Sequence, residues 1–539
     1  MRGVVAIAVW LVASLALLGL DVPHARLFVT VGTYGVLLPV LARVVRRDGS
    51  GSAPVVSWRV FIVLAVVIGI ATLVIAHWWD RGILWGDEDC YRQQARIFES
   101  GHPWLDAPAA TSPDPATSQH ELRFLHHILH DGHWFTKYPP AWPAVLALGD
   151  AIGVRWLVNP LLAVLALWIV YRLARLLALR DPKLPLVMLI ASPFFFMTAA
   201  SQMSHMLGLV CCAGATLCFA SAMRSGRVLA FAGAIALLCG CAFVRPFTAF
   251  CAALALVPFA VPALTTRRAA PYVAVAVGLG ALTTVVMALY NHFYTGHYGQ
   301  SLYALYADGK LKELSLSSAV IVDNLKNAAR WSLQDTALFT WPLGFALAIY
   351  ALVADRERRY EHSLVLVVFV ALGVGNLIHT EGSSSRFGDR YLFEGIAGPM
   401  LLAARGVELL AERWRVRNLG ALVAVLTIGG VLLAVPLVRP TLREIRPYVH
   451  VHDVVDALPD DGSLVFFTVT DAFTGDRFDL NAADYAHAPH MFLVDPGPAR
   501  RAQVAASEHR ARWIVLGYDE QAAAPAVLAR GLSAAPSGP

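Results

Sequence analysis

Charge is scarce in this chain. Its 539 residues include 43 Lys and Arg against 38 Asp and Glu, so 15% are charged, where a soluble globular domain carries roughly 25%. With 57% hydrophobic residues and a mean hydropathy of +0.57, that deficit excludes an ordinary soluble domain. The net charge of +5 is small and is mostly arginine at the ends of apolar runs, which gives no footing to nucleic-acid binding. Cysteine is nearly absent from polar segments. Cys211, Cys212, Cys218, Cys239, Cys241 and Cys251 lie in apolar runs, where cysteine acts as a small hydrophobe, and Cys90 alone lies in a polar loop. A disulfide framework is thereby excluded, and there is no CxxC metal spacing. No P-loop or GxGxxG follows a strand, so a nucleotide site is unsupported. No internal repeat is present.

What the chain does have is apolar runs of about 17–22 residues, long enough to cross ~30 Å of hydrocarbon as helices. They fall near 4–20, 27–45, 57–77, 156–171, 184–200, 204–222, 228–243, 247–264, 271–290, 336–354, 363–378, 396–410 and 419–437. The expectation is an all-α polytopic membrane protein of about thirteen helices. The run 139–153 starts at Pro139-Pro140 and is short, which suits an interfacial or re-entrant helix. Arginines punctuate every second connection, at Arg43, Arg46 and Arg47, at Arg172 and Arg175, at Arg224 and Arg227, at Arg267 and Arg268, at 355–359, and at Arg413, Arg415 and Arg417. By the positive-inside bias those connections and the N-terminus are cytoplasmic. The other side then receives a first loop at 78–155, loops at 291–335 and 379–395, and a tail. The tail alternates strand-like runs (Ser463–Val469, His490–Val494, Arg512–Leu516) with helical stretches, as a small extracytoplasmic α/β domain would. The expected organisation is two leading helices in 1–56, a membrane core in 57–438 and the tail domain in 439–539.

Chemistry concentrates where the third helix ends. Trp78, Trp79 and Trp85 suit an interfacial aromatic belt, and Asp87, Glu88 and Asp89 follow at the start of a helical stretch expected to lie along the membrane surface. Acids there either favour the helix dipole or, partly desolvated, serve as a general base. Further along, His126 and His130 are spaced i, i+4, so on a helix they would share a face, with His133 close behind. A divalent metal there is the weaker alternative, because no HExxH or cysteine supports it. Arg386 and Arg390 in "HTEGSSSRFGDRYLFE" (379–394) are either phosphate contacts or headgroup-solvated charge. Arg245, between two apolar runs, is a site residue or a snorkelling one. Asn291, His292, Tyr294, His297 and Tyr298 open the next large loop as sugar contacts or as interfacial aromatics.

At these residues the sequence resembles the GT-C membrane glycosyltransferases, in particular the aminoarabinose transferases of lipid A and the protein O-mannosyltransferases. "DEDCYRQQAR" (87–96) is similar to the family's Asp-Glu-x-x-Tyr element, and "TKYPPAWPAVLAL" (136–148) to its Lys-(x)-Pro-Pro element. The resemblance implies a polyprenyl-phosphate sugar donor, an inverting transfer outside the cytoplasm to a glycan, lipid or protein acceptor, and no organic cofactor. It implies Asp87 as base with Glu88 beside it, and Lys137 near the lipid phosphate. Asp89, Tyr91, Tyr138, Arg245, Arg386, Arg390 and Tyr391 complete the expected substrate contacts. Relatives often carry a second acid in the next outer loop, whereas "SQMSHM" (201–206) has none. A non-catalytic lipid or sugar transporter, and a polysaccharide polymerase or ligase with a pyrophosphate-linked donor, are the alternatives. The former would place polar groups and broken helices at mid-membrane.

Overall fold

The computed structural model describes residues 56–82, 85–109, 124–265, 269–307, 314–328, 340–341, 343–379, 384–385, 388–413, 423, 427, 442–470, 473–522 and 524–533. The expected helices at 4–20 and 27–45, that at 419–437 apart from residues 423 and 427, and Arg386 lie outside them.

The described chain starts with α1 (Trp58–Trp79), where the Ser57 side chain accepts from the Val60 N–H and so caps one orphan donor. Next come α2 (Gly86–Glu99) and a small antiparallel sheet of β1 (Leu105–Asp106), β2 (His127–His130) and β3 (His133–Thr136), in the order β1-β3-β2. The helical part continues with α3 (Ala141–Asp150), α4 (Val158–Leu176), α5 (Leu184–Ile190), α6 (Pro193–Ala200) and α7 (His205–Ser225). After it run α8 (Val228–Ala242), α9 (Pro246–Leu264), α10 (Ala269–Thr295), α11 (Leu302–Tyr306) and α12 (Ser318–Asn327). Last are α13 (Gly344–Ala354), α14 (Arg359–Gly375), a 3-10 segment at Arg390–Gly395, and α15 (Ala397–Arg413).

Five helices among the described residues are long and apolar enough to span a bilayer: Trp58–Trp79, Arg155–Leu176, His205–Ser225, Ala269–Thr295 and Arg356–Ile378. The chain is a multi-pass membrane protein. Val60, Val63, Val67, Ile70 and Val74 of α1 point away from the protein, an apolar face that suits lipid rather than water. Inside the bundle small residues let helices close up. A Cβ on Gly398 would stand 2.1 Å from the Val365 carbonyl oxygen and one on Gly406 2.2 Å from that of Leu347, so α15 lies against α14 and α13 through these two glycines.

Two expectations change. The span expected at 184–200 is broken into α5 and α6, because Ser192 caps a new helix and Pro193 takes its first position. Residues 127–136 form a hairpin, so His126 and His130 share no helical face. Its turn, Asp131-Gly132, has both φ angles positive, at 49° and 75°, as a two-residue hairpin turn requires. The helix α2, expected along the membrane surface, is covered by protein. Glu88 through Ala95 are all buried, packed between the helices and the tail.

The tail carries a helix at 442–456 and strands β4 (Leu464–Phe467), β5 (Met491–Val494), β6 (Arg512–Asp519) and β7 (Ala524–Leu532). The sheet order is β7-β6-β4-β5, with β6, β4 and β5 parallel and β7 antiparallel. Its core holds Phe466, Phe467, Phe478 and Phe492, and the same cluster takes in Ile97 of α2 and Phe124 and Trp134 of the first loop. Tail and first loop therefore share one core, and α2 is fixed from behind by the C-terminal residues.

Candidate active site

The α2 helix divides its acids between two sides. Asp87 faces a cavity of about 420 Å³ whose wall also includes Tyr91, His126, Lys137, Tyr138, Arg245, Arg390 and Tyr391. Of the expected site residues within the described chain, these are brought together. Asp87 Oδ1 accepts the Tyr138 hydroxyl at 2.6 Å and lies 3.2 Å from His126 Nε2, and Oδ2 lies 3.3 Å from Arg390 Nη1. Burial alone would raise this carboxyl. Arg390 and the hydrogen bonds from His126 and Tyr138 outweigh it and hold Asp87 well below the usual carboxylate range. Asp87 is therefore ionised at neutral pH.

Lys137 and Arg245 are held by their own partners. Lys137 is buried, with its ammonium 4.8 Å from the centre of the Tyr306 ring and 5.5 and 5.6 Å from those of Tyr138 and Tyr303, an arrangement that favours a desolvated cation. Arg245 sits in the turn between α8 and α9. Its Nε lies 2.7 Å from Glu394 Oε1, and His205 Nδ1 lies 2.9 Å from the same oxygen. Glu394 is fully buried. Both Arg245 and Arg390 lie over the Tyr391 ring, at 5.6 and 5.2 Å. Arg245 thus reaches a defined wall and does not simply extend to a headgroup. Removing it by Arg245→Met would leave Glu394 buried without its cation, which costs about 3–5 kcal/mol for such pairs. Arg245→Met/Glu394→Met should restore most of that loss, read as thermal midpoint in detergent.

Two expected site residues stand elsewhere. Glu88 accepts from the Gln202 N–H at 3.0 Å and from the Trp79 indole at 3.3 Å. Both contacts tie α2 to neighbouring backbone and α1, and Glu88 is absent from the cavity wall. Asp89 points to the tail, where it accepts the Asp479 N–H at 2.7 Å. Asp479 in turn lies 3.1 Å from His127 Nε2, both fully buried. Near neighbours therefore take opposite sides: Asp87 and His126 face the cavity, Asp89 and His127 the tail. Burial, then the neighbouring Asp479 charge, pushes the Asp89 carboxyl up to about 7.

A raised folded-state carboxyl contributes stability that is complete below the ordinary carboxylate range and is lost as pH rises through about 7. The thermal midpoint should accordingly fall between about pH 5 and pH 8, and Asp89→Asn should flatten that fall.

Tyr294 donates to the Pro103 carbonyl at 2.9 Å, and His292 stacks on Tyr298. Neither they nor Asn291 and His297 line the cavity. Among the described residues no group of three or more His, Cys, Asp or Glu side chains is arranged to hold a metal ion. Tyr303, His379 and Asn376 join the wall without having been singled out from the sequence. Glu394 stands behind that wall as the partner of Arg245, and its only sequence signal is an acid at the edge of an apolar run.

No protein-family model matches this chain, and no curated protein matches it. Among solved structures, ArnT from Cupriavidus metallidurans bound to undecaprenyl phosphate matches over 86% of this chain and 93% of its own, at 13% identity and a TM-score of 0.55. The chain shares the ArnT fold. ArnT from the same organism in the apo state matches at 13% identity over 86% and 92% of the two chains, with a TM-score of 0.52. The likeness is one of fold, the fold that the Asp-Glu-x-x-Tyr and Lys-(x)-Pro-Pro elements implied.

Proposed function

We propose that this protein transfers a sugar from a polyprenyl-phosphate donor to an acceptor on the extracytoplasmic side of a membrane, with inversion and with Asp87 as general base. The observation that carries this reading is the meeting of one ionised carboxylate, Asp87, with three cations, Lys137, Arg245 and Arg390, around a single ligand-sized cavity. The likeness to an ArnT that binds undecaprenyl phosphate supports the donor class. On this reading about thirteen helices cross the bilayer, the N-terminus is cytoplasmic and the tail lies outside.

The sugar phosphate enters with its phosphate toward the cations. Val244, Pro246, Phe247 and Leu372 give the same cavity an apolar wall suited to the first isoprenoid units. Asp87 takes the proton of an acceptor hydroxyl or amine, and the acceptor attacks the anomeric carbon. The bond to the phosphate oxygen breaks, and its electron pair stays on the lipid phosphate. Fixed cations aimed at developing charge lower the barrier without reorganising, and side-chain cations supply that charge with no organic cofactor.

The test is purified protein in vesicles with labelled undecaprenyl-phosphate sugars on the tail side. Label moving from lipid to acceptor is expected. Label that crosses the bilayer still attached to lipid would instead identify a transporter.

A further inference from the structure

We propose that Arg390 serves the base and the donor phosphate in turn, holding Asp87 in the empty site and releasing it when the phosphate arrives. This rests on the glycosyltransferase reading above. The two oxygens of Asp87 are used differently. Oδ1 is taken up by Tyr138 at 2.6 Å and His126 at 3.2 Å, whereas among the described residues Oδ2 meets Arg390 Nη1 at 3.3 Å. That contact is single and long, where a charge-assisted N–H···O bond measures about 2.7–2.9 Å and an arginine–carboxylate pair is frequently bidentate. The Arg390 Nε is buried without a hydrogen-bond partner among the described residues, and the guanidinium lies on the wall shared with Lys137 and Arg245. Arg390 is therefore loosely fastened to the carboxylate and keeps a spare donor beside it.

A phosphate offers the planar fork two oxygens at once. Drawing Arg390 to it uncovers Oδ2 and removes the charge that most lowers the basicity of Asp87. The donor phosphodiester carries one negative charge and the departing lipid phosphate carries more, so Arg390 is pulled further as the bond breaks. The acceptor O–H proton passes to Oδ2, the acceptor oxygen bonds to the anomeric carbon, and the electron pair of the broken bond stays on phosphate. The base is thus engaged only when a phosphate is in place, which restrains proton abstraction in an empty site.

The test is a double-mutant cycle on undecaprenyl phosphate binding to the full-length protein in nanodiscs, since groups in one network couple measurably. Asp87→Asn frees Arg390, so it should bind the lipid on the order of tenfold tighter than the wild type. Arg390→Ala should bind more weakly, and adding Asp87→Asn to it should give no gain. Equal or weaker binding by Asp87→Asn would overturn the exchange. So would the same gain with and without Arg390, because charge repulsion alone would then explain it. If Asp87→Asn is not recovered folded, Asp87→Ser is read in the same way. Loss of transfer in Asp87→Asn without tighter binding removes only the exchange. A wild type that neither binds undecaprenyl phosphate nor transfers sugar removes the donor reading as well.

Discussion

Asp87→Asn is expected to lower transfer by about 10²–10⁴-fold, the range over which a positioned base contributes, and to lower the thermal midpoint as well, because Arg390 loses the carboxylate it meets at 3.3 Å. The amide keeps the shape of the carboxylate and can still accept the Tyr138 hydroxyl that now lies 2.6 Å from Oδ1, so the cavity wall need not move. What it cannot do is take a proton from the acceptor. The loss should appear in kcat, with donor KM level or lowered by the freed Arg390, because the proton transfer removed acts in the transition state. A steady-state assay with labelled donor, run on protein matched by size-exclusion profile, checks this. Near-normal kcat in the variant would leave Asp87 as a structural helix N-terminus, the reading its place in the first turn of α2 equally allows.

Lys137→Met is expected to lower kcat/KM by about 10²–10³-fold, the cost of removing one fixed group that stabilises transition-state charge. The lysine is buried among the Tyr138, Tyr303 and Tyr306 rings, so its ammonium has already lost most of its water and meets an anion with little further desolvation. A methionine fills the same volume without charge, which keeps the aromatic packing and isolates the electrostatic effect. Lys137→Arg, which retains charge in a wider head group, should recover part of the activity. Equal activity for Lys137→Met and wild type would mean that the phosphate is neutralised by the arginines alone.

The parts of the site that were legible in the sequence are those written in contiguous residues. An aromatic end to α1 followed by Asp87, and Lys137 ahead of two prolines, could be read without a fold because each is a local pattern with a local cause. The hairpin at 127–136 was equally local and still missed. Asp131-Gly132 between two apolar-rich runs is a hairpin signal, whereas the i, i+4 spacing of His126 and His130 points to a helix. The break at Ser192-Pro193 likewise carries a cap and a helix-starting proline inside a run whose length suggested one span. The supporting partners were not legible at all. Glu394 reaches Arg245 across 149 positions of sequence, and Asp479 reaches Asp89 across 390. Those pairings are products of packing, and no periodicity or spacing in a single segment encodes them. The same holds for Glu88 and Asp87: they are neighbours in an acidic triplet, and the 100° turn of the helix between them sends one to the cavity and the other into the packing.

The most direct measurement is a structure of the full-length protein with undecaprenyl phosphate bound. The lipid phosphate should lie within hydrogen-bond reach of Lys137 and of Arg245 or Arg390, with Asp87 across the cavity on the side open to an acceptor. A phosphate seated at any other surface, with the Asp87 cavity holding neither phosphate nor prenyl chain, would contradict it.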